Sequence, residues 1–347
     1  MKDNKMIGYV GTYTKGESKG IYSFALADEK MTDVKLAATI ENPTYLTISD
    51  DNKFLISVMK KGDEGGVASY EVDSNTGALH MVNSQLTAGS PPCHVSTDQD
   101  SKCILTANYH KGTIESYLSV GGRLQPPASV IAHHGSGPDE RQEKPHTHFA
   151  GFTPDEKYAI AVDLGIDQVI SYENREGLLQ EKAVFTAKPG SGPRHIVFHP
   201  NGKWAYVMTE LSSEIITLSY DSENGSFAEV QTISTIPSDF IDNNQGSAIH
   251  ISSDGRFIYA GNRGHDSIAV YAVDTANGSI NFLEHTSTYG NWPRDFVLDP
   301  TEAYVIASNQ NSGTLVLYAR DAVTGKLSLL QKDIVVPDPV CVKFLHI

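Results

Sequence analysis

A strand–turn–strand pattern recurs six times along the chain, and this repeat constrains the fold more than any other feature of the sequence. Each copy has a strand, a turn of the Ser/Pro-Asp-Gly type and a second strand, and the copies follow one another at intervals of roughly 50 residues. They read LTISDDNKFLISVM (46–59), HVSTDQDSKCILTAN (94–108), FAGFTPDEKYAIAVD (149–163), IVFHPNGKWAYVMTE (196–210), IHISSDGRFIYAGNR (249–263) and FVLDPTEAYVIASNQ (296–310). Repeats of this length are typical of β-propellers, in which each repeat forms one blade.

A second pair of strands around an Asp/Asn-Gly turn follows each copy, for example in segments 65–82, 266–283 and 313–330. Six units therefore have four predicted strands each. The seventh unit is divided between the N-terminal segments GYVGTYT, GIYSFAL and KLAATI and the C-terminal segment VCVKFLHI (340–347). Joining the two ends in one sheet would close the ring and remove open edge strands.

We therefore predict an all-β fold, a seven-bladed β-propeller with four antiparallel strands per blade, formed by residues 1–347 as a single domain. In this fold the N- and C-terminal strands share one blade. The alternative is two β-sandwiches in series, but sandwich sequences do not repeat a uniform four-strand unit so often.

Charge and composition restrict the possible partners and compartment. The formal net charge is −15 at pH 7, so the surface should repel nucleic acid and anionic membranes. No apolar run reaches the ~18 residues of a membrane span, and the first residues lack the apolar block of a signal peptide. The chain has three cysteines, Cys93, Cys103 and Cys341. An odd and small number of cysteines does not fit a disulfide framework. We expect a cytoplasmic protein without a nucleic-acid or membrane partner.

Aligning the repeats on their first turn shows which positions in different blades are equivalent. One set of equivalent residues begins the innermost strand of each blade, namely His148, Arg194, Ser247 and Arg294. A second set ends the next strand, namely Leu164, Glu210, Arg263 and Gln310. In an antiparallel pair, the start of one strand and the end of the next lie at the same end of the sheet. We therefore expect three arginines, a carboxylate and a histidine to converge at one mouth of the central channel, where functional sites of propellers tend to lie.

The chain resembles the lactonase-type seven-bladed propeller family over essentially its whole length. The resemblance is carried by PHTHFAGFTPDEKYAIAVDLG (145–165), GPRHIVFHPNGKWAYVMTEL (192–211), the pair IHISSDGRFIYAGNR and WPRDFVLDP, and the opening GTYT. The family includes bacterial 6-phosphogluconolactonases and a fungal enzyme that lactonises carboxymuconate. The resemblance implies a catalytic group of His148, Arg194, Glu210 and Arg263, the same four residues that the blade alignment selects. Arg294 lies in a matching Pro-Arg motif and joins them.

Hydrolysis of a lactone requires an activated water, a stabilised oxyanion and a fixed ring. We expect His148 to be the base, because an ordinary imidazole pKa of about 6.5 suits neutral pH. Glu210 then either orients an arginine or the histidine, or is the base itself. Arg194 is the candidate for stabilising the oxyanion. Further candidate substrate-binding residues are His146, His195, His250 and Gln310.

The favoured substrate is an anionic sugar lactone, above all 6-phospho-D-glucono-1,5-lactone, the lactone of the pentose phosphate pathway. A planar guanidinium binds phosphate bidentately, so Arg263 and Arg294 are the expected phosphate ligands. Because δ-lactones are already reactive, we expect neither a covalent intermediate nor a cofactor.

Two other catalytic interpretations are disfavoured by local context. The segment GESKG (16–20) matches the G-x-S-x-G pattern of serine hydrolases, but it connects two short strands rather than a strand and a helix. A zinc site could be imagined from His133, His134, His146 and His148 with Asp139 and Glu140, but their spacing is irregular, and no metal is predicted. The polar insertion 133–145 instead resembles a lid over the site.

Two alternative functions remain open from the sequence. The same arginines could serve a lactonase or cycloisomerase that acts on a carboxylated, non-phosphorylated substrate. A non-catalytic propeller that binds a protein partner is the other alternative, and it should expose aromatic or apolar side chains at the mouth instead of arginine, histidine and glutamate. The oligomeric state is not predictable from the sequence.

Overall fold

The computed structural model describes residues 5–347 and contains 28 strands in seven four-stranded antiparallel sheets. Each sheet is one blade, numbered here from the first complete one. Blade 1 has β4 (Leu46–Ile48), β5 (Phe54–Lys61), β6 (Glu64–Asp73) and β7 (Ala78–Ala88). Blade 2 has β8 (His94–Thr97), β9 (Cys103–Asn108), β10 (Thr113–Val120) and β11 (Arg123–Ala132). Blade 3 has β12 (Thr147–Phe152), β13 (Tyr158–Asp163), β14 (Gln168–Arg175) and β15 (Leu178–Thr186).

The remaining blades repeat this organisation. Blade 4 has β16 (Pro193–Phe198), β17 (Trp204–Thr209), β18 (Glu214–Asp221) and β19 (Ser226–Ser234). Blade 5 has β20 (Gln245–Ile251), β21 (Phe257–Arg263), β22 (Ser267–Val273) and β23 (Ile280–Ser287). Blade 6 has β24 (Pro293–Leu298), β25 (Tyr304–Asn309), β26 (Thr314–Arg320) and β27 (Leu327–Val335). Blade 7 combines β28 (Pro339–Phe344) with β1 (Met6–Thr12), β2 (Gly20–Ala27) and β3 (Lys30–Thr39).

The ring closes as the sequence predicts, because the C-terminal strand β28 pairs antiparallel with the N-terminal strand β1, with Val342 opposite Val10. The innermost strand of each blade contacts the innermost strand of the next, and β28 contacts β4 to complete the circle. The seven-bladed propeller with its shared terminal blade is thus confirmed.

The hydrophobic core lies between neighbouring blades. One cluster joins Tyr9 and Cys341 of blade 7 to Leu46 and Leu55 of blade 1. The inner strands are buried on both faces, as in β9 and β13, whereas the outermost strand β15 has only partly buried and exposed positions. Burial decreases from the inner to the outer strands because neighbouring blades cover both faces of the inner ones. Polar side chains that could bind a ligand are therefore expected at the strand ends.

A tyrosine in the second strand of several blades fastens that blade to the next. The hydroxyl of Tyr9 donates to the carbonyl of Gly77, Tyr206 to Gly278, and Tyr259 to Gly325, at 2.8–3.1 Å. Each acceptor lies in the turn between the two outer strands of the following blade. A buried phenol needs such a partner, so the repeated bond also specifies how adjacent blades align.

Among residues 5–347, no helix has the length and apolar character needed to cross a bilayer. The described helical structure is a short 3₁₀ segment, Glu140–Gln142, which lies within the predicted lid insertion.

Candidate active site

A β-bulge at the start of the innermost strand turns the predicted side chains towards the channel mouth. In blade 3, Thr147 pairs with Asp163 and Phe149 with Val162, which leaves His148 as the extra residue. The same irregularity leaves Arg194 as the extra residue of β16 and Arg294 as that of β24. Bulges of this kind change the direction of a side chain without ending the strand. The equivalence found by aligning the repeats therefore has a structural cause.

A cavity of about 440 Å³ opens at this mouth, within the range of small-molecule sites. All seven blades, or the loops that enter them, contribute to its wall. The wall consists of Tyr13, Lys15, Asn42, Thr44, Lys60, Ser90, Pro91, Pro92, Cys93, Tyr109, His110, Arg141, His148, Glu210, Gln245, Arg263, Trp292 and Arg294. The structure therefore brings His148, Glu210, Arg263 and Arg294 into one cavity, and Arg194 lies buried directly behind Glu210.

Glu210 is the centre of a buried ionic cluster. One of its oxygens, Oε2, accepts from Arg194 Nε at 3.0 Å and from Arg263 Nη2 at 2.6 Å. The other oxygen, Oε1, accepts from Arg141 Nη2. Burial alone would raise the pKa of Glu210, but the charges of Arg263 and Arg194 outweigh it and hold this pKa well below its usual range. Glu210 is therefore a carboxylate at neutral pH and a weak base.

His148 is buried, and its Nδ1 has no hydrogen-bond partner in the described part of the chain. Burial lowers the pKa of His148 well below its ordinary value, and the positive charge of Arg194 lowers it further. The imidazole is therefore neutral at pH 7 and can accept a proton. The sequence predicts an ordinary histidine pKa. In the structure the lowered pKa keeps the imidazole neutral over a wider pH range and also makes it a weaker base.

Arg194 is held on several sides. Besides its bond to Glu210, its Nη1 donates to the carbonyl of Ser247 at 2.6 Å and lies 3.3 Å from His195 Nε2. Arg194 is not part of the cavity wall, whereas Arg263 is. The side chain expected to stabilise the oxyanion is thus placed behind the carboxylate.

Four expected substrate-binding residues lie away from the cavity wall. His195 packs behind it, with its ring 5.2 Å from that of His148 and 5.4 Å from that of His94. His146 is stacked on Tyr109 and its nitrogens contact Tyr109 O and Glu143. Successive strand residues face opposite sides, so His195 does not share the direction of the bulged Arg194. His146 precedes β12 and is held by its contacts with Tyr109 and Glu143.

The other two of these residues, His250 and Gln310, also lie outside the cavity wall. His250 lies deeper in the channel, with Nε2 3.8 Å from Asp295 and its ring against Phe296. Gln310 follows β25, and its Oε1 is buried without a hydrogen-bond partner among the described residues. Neither side chain reaches the cavity wall.

Arg141 is the principal site residue that the sequence analysis did not single out. It belongs to the insertion predicted as a lid, and the 3₁₀ segment there is capped by Asp139. Gln142 anchors the segment because its side-chain amide donates to the carbonyl of Leu164 at 2.8 Å. The sequence feature that could have indicated Arg141 is its position in the long insertion before the blade that carries His148.

The two disfavoured catalytic patterns have structural explanations. Ser18 of the GESKG segment is buried, with its Oγ 2.5 Å from the hydroxyl of Thr12. His133 bonds Asp163 and Tyr172 through its two ring nitrogens, at 2.7 and 2.9 Å. Over residues 5–347, no group of three or more His, Cys, Asp or Glu side chains has an arrangement suited to a metal ion.

Comparison with known proteins places this site in a family context. The family model described as "Lactonase, 7-bladed beta-propeller" matches residues 7–344. The 6-phosphogluconolactonase of Bacillus subtilis (strain 168) is 55% identical over 99% of both chains. The crystal structure of a Lactobacillus plantarum protein is 42% identical, covers 99% of this chain and 100% of its own, and has a TM-score of 0.95. A periplasmic gluconolactonase of Pseudomonas aeruginosa is 32% identical over 99% of both chains, with a TM-score of 0.93.

Proposed function

Because the chain belongs to the seven-bladed β-propeller lactonase family, we propose that it hydrolyses 6-phospho-D-glucono-1,5-lactone to 6-phosphogluconate. The family makes it a carboxylic ester hydrolase with a small lactone as substrate. The choice of the phosphorylated sugar lactone is supported by the 55% identity to a relative of that name.

The observation that carries the proposal is the charge of the cavity. Its wall contains five cationic side chains, Lys15, Lys60, Arg141, Arg263 and Arg294, and one carboxylate, Glu210. The whole protein has a net charge of −15. A cationic cavity in an acidic protein attracts a small anion while the outer surface repels larger ones. A phosphorylated lactone matches this charge.

In the proposed reaction, the neutral imidazole of His148 removes a proton from a water molecule as the water oxygen attacks the lactone carbonyl carbon. A new carbon–oxygen bond forms, and the carbonyl oxygen becomes an oxyanion. The oxyanion then returns to a carbonyl as the bond between the carbonyl carbon and the ring oxygen breaks, and the proton held by His148 passes to the departing ring oxygen. General-base catalysis of this kind contributes roughly 10²–10⁴-fold.

We assign stabilisation of the oxyanion to Arg263 rather than to Arg194, because Arg263 lines the cavity and Arg194 does not. One such donor contributes about 3 kcal/mol. Glu210 acts as a positioning residue, since its two oxygens already accept from three guanidinium groups, whereas His148 Nδ1 has no hydrogen-bond partner among the described residues. Arg294 is the proposed phosphate ligand.

A scaffold function has less support. Among the described residues, none of the strongly exposed large apolar side chains belongs to the cavity wall. A protein-binding mouth would be expected to expose such side chains. Lactones without phosphate are the stronger alternative, because a similar structure is a gluconolactonase.

The test measures opening of freshly prepared 6-phosphogluconolactone, glucono-1,5-lactone and a carboxylated muconolactone, each corrected for spontaneous hydrolysis. We expect the highest kcat/KM for the phosphorylated lactone. The variant His148→Asn should lose at least 100-fold in kcat. The matched control is His134→Asn, an exposed histidine of the lid insertion outside the cavity, which should retain wild-type activity. Equal activity of His148→Asn and the wild type would refute the assigned base.

A further inference from the structure

The cationic side chains on the two sides of the cavity differ in whether a carboxylate pairs with them. Glu210 belongs to blade 4 and Arg263 to blade 5, and these residues form the ionic cluster described above. The opposite side of the ring comprises blades 6, 7 and 1. It contributes Arg294, Tyr13 with Lys15, and Lys60 to the same wall. In the part of the chain that the structure describes, neither Arg294 nor Lys15 has a carboxylate within salt-bridge distance, whereas Lys60 lies 3.6 Å from Glu41.

We propose that Tyr13, Lys15 and Arg294 form a phosphate-binding subsite, which holds the phosphate of the substrate while the lactone ring faces His148 and Arg263. This inference rests on the proposed function and adds which residues distinguish a phosphorylated from a neutral lactone. Lys60 extends the subsite at the rim.

The ring of Tyr13 holds both cations. The Nζ of Lys15 lies 5.1 Å from the ring centroid, and the guanidinium carbon of Arg294 lies 5.5 Å from the same centroid. Cation–π contacts of this type contribute about 0.5–1 kcal/mol where water has access. Such contacts orient the two cations without neutralising them. An arriving dianion therefore meets two full positive charges.

The loop that carries Tyr13 is held in place before any ligand binds. The backbone N–H and the hydroxyl of Thr14 both donate to Asn42 Oδ1, at 3.0 and 3.2 Å. The N–H of Asn42 donates in return to the Thr14 hydroxyl at 3.1 Å. The N–H of Tyr13 itself donates to the carbonyl of Asp338 at 3.1 Å. A fixed loop reduces the entropy that phosphate binding would otherwise lose.

Arg294 differs from the other arginines of the site in its hydrogen bonds. Arg141, Arg194 and Arg263 all donate to Glu210. The guanidinium of Arg294 has no hydrogen-bond acceptor among residues 5–347, although the side chain is partly buried and lines the cavity. Its planar set of N–H donors is therefore available for two phosphate oxygens.

The chemistry of the substrate fits this division. The phosphate of 6-phosphogluconolactone is attached through the carbon next to C5, which bears the ring oxygen that leaves during hydrolysis. The phosphate and the reacting carbonyl are therefore close together but on different sides of the molecule. At pH 7 the phosphate carries roughly −1.5 to −2 charges. It needs more than one cation. The three arginines of the Glu210 side all donate to that carboxylate, whereas Arg294 and Lys15 have no carboxylate partner among the described residues and can both turn their donors to the phosphate.

The experiment compares Arg294→Met, Arg294→Lys and Lys15→Met on 6-phosphogluconolactone and on glucono-1,5-lactone. Arg294→Met should lower kcat/KM for the phosphorylated lactone roughly 10- to 100-fold, mainly through KM, and leave the neutral lactone within about twofold. Arg294→Lys should recover part of the loss. Lys15 is exposed, so Lys15→Met should fold normally and lower kcat/KM about two- to fivefold.

The matched control is Lys332→Met. Lys332 is exposed and its Nζ lies 5.6 Å from the ring of Tyr289, outside the cavity, so this variant removes the same kind of charge from the same kind of contact. It should leave kcat/KM for both lactones unchanged. Equal losses on both lactones in Arg294→Met, or no loss in Arg294→Met and Lys15→Met, would overturn the subsite while the lactonase function stands. A wild-type enzyme inactive on both lactones would instead refute the proposed function.

Discussion

Replacing Glu210 by glutamine removes the charge that three arginines share while keeping the shape of the side chain. The two bonds on Oε2, from Arg194 and Arg263, favour placing the amide oxygen there. The amide NH₂ group must then face Arg141, so one donor meets another. The site would hold three guanidinium groups and no carboxylate.

The expected loss of stability follows from the burial of each partner. Breaking a buried ion pair by removing one side costs about 3–5 kcal/mol. Arg194 and Arg263 each keep a backbone acceptor at 2.6 Å, the carbonyls of Ser247 and Gly246. The Arg141 side chain is 33% exposed and can turn towards water. We therefore expect a loss near the lower limit, about 3 kcal/mol, in the free energy of unfolding.

The assay is urea unfolding at pH 7.5, followed by tryptophan fluorescence, together with kcat as a function of pH. The control is Glu143→Gln, whose carboxylate is 58% exposed and bonds His146 from the same insertion, and its stability should change by less than about 0.5 kcal/mol. If Glu210 positions the arginines, kcat of Glu210→Gln should fall roughly 100- to 1,000-fold, the scale of a lost transition-state contact. The acid side of the pH profile should keep its shape and move to lower pH, because the charge of Glu210 raises the pKa of His148.

Two results would refute this reasoning about Glu210. A loss of unfolding free energy below about 1 kcal/mol would show that the arginines do not depend on the carboxylate for their stability in the site. An acid side that is lost in Glu210→Gln but kept in His148→Asn would show that Glu210, and not His148, is the group that accepts the proton.

Two further predictions concern acid stability and the GESKG segment. Burial holds the pKa values of His94, His148 and His195 well below the ordinary value, so below about pH 6.5 the unfolded chain binds protons that the folded chain does not. As the pH falls, each of these histidines should lower the free energy of unfolding by up to about 1.4 kcal/mol per pH unit until its folded pKa is reached. In urea titrations between pH 7 and 5, His94→Phe should reduce the slope of the unfolding free energy against pH. An unchanged slope would contradict the burial argument. Ser18→Ala should retain kcat within about twofold and lose about 1 kcal/mol of stability with the Thr12 bond, whereas loss of activity in a folded variant would revive a serine mechanism.

The sequence alone was sufficient to predict the propeller and to show which positions in different blades are equivalent. Turn residues and strand periodicity are local properties, and they recur in every unit. Aligning the repeats therefore placed His148, Glu210, Arg263 and Arg294 at one mouth, and the structure brings these four side chains into one cavity. The closure of blade 7 was also predictable, because only the two chain ends could supply its strands.

The partners within the site were decided by the tertiary structure. Bulges at the first strand turned one residue of each motif towards the cavity and left His195 behind it. Contacts with Tyr109 and Glu143 keep His146 off the cavity wall. Arg141 and Tyr13 reach the site from loops whose paths depend on contacts far along the chain. Repeats specify which strand a residue belongs to, but the direction of a side chain at a bulge and the approach of a distant loop depend on packing between blades. The sequence pattern contains no local signal for that packing.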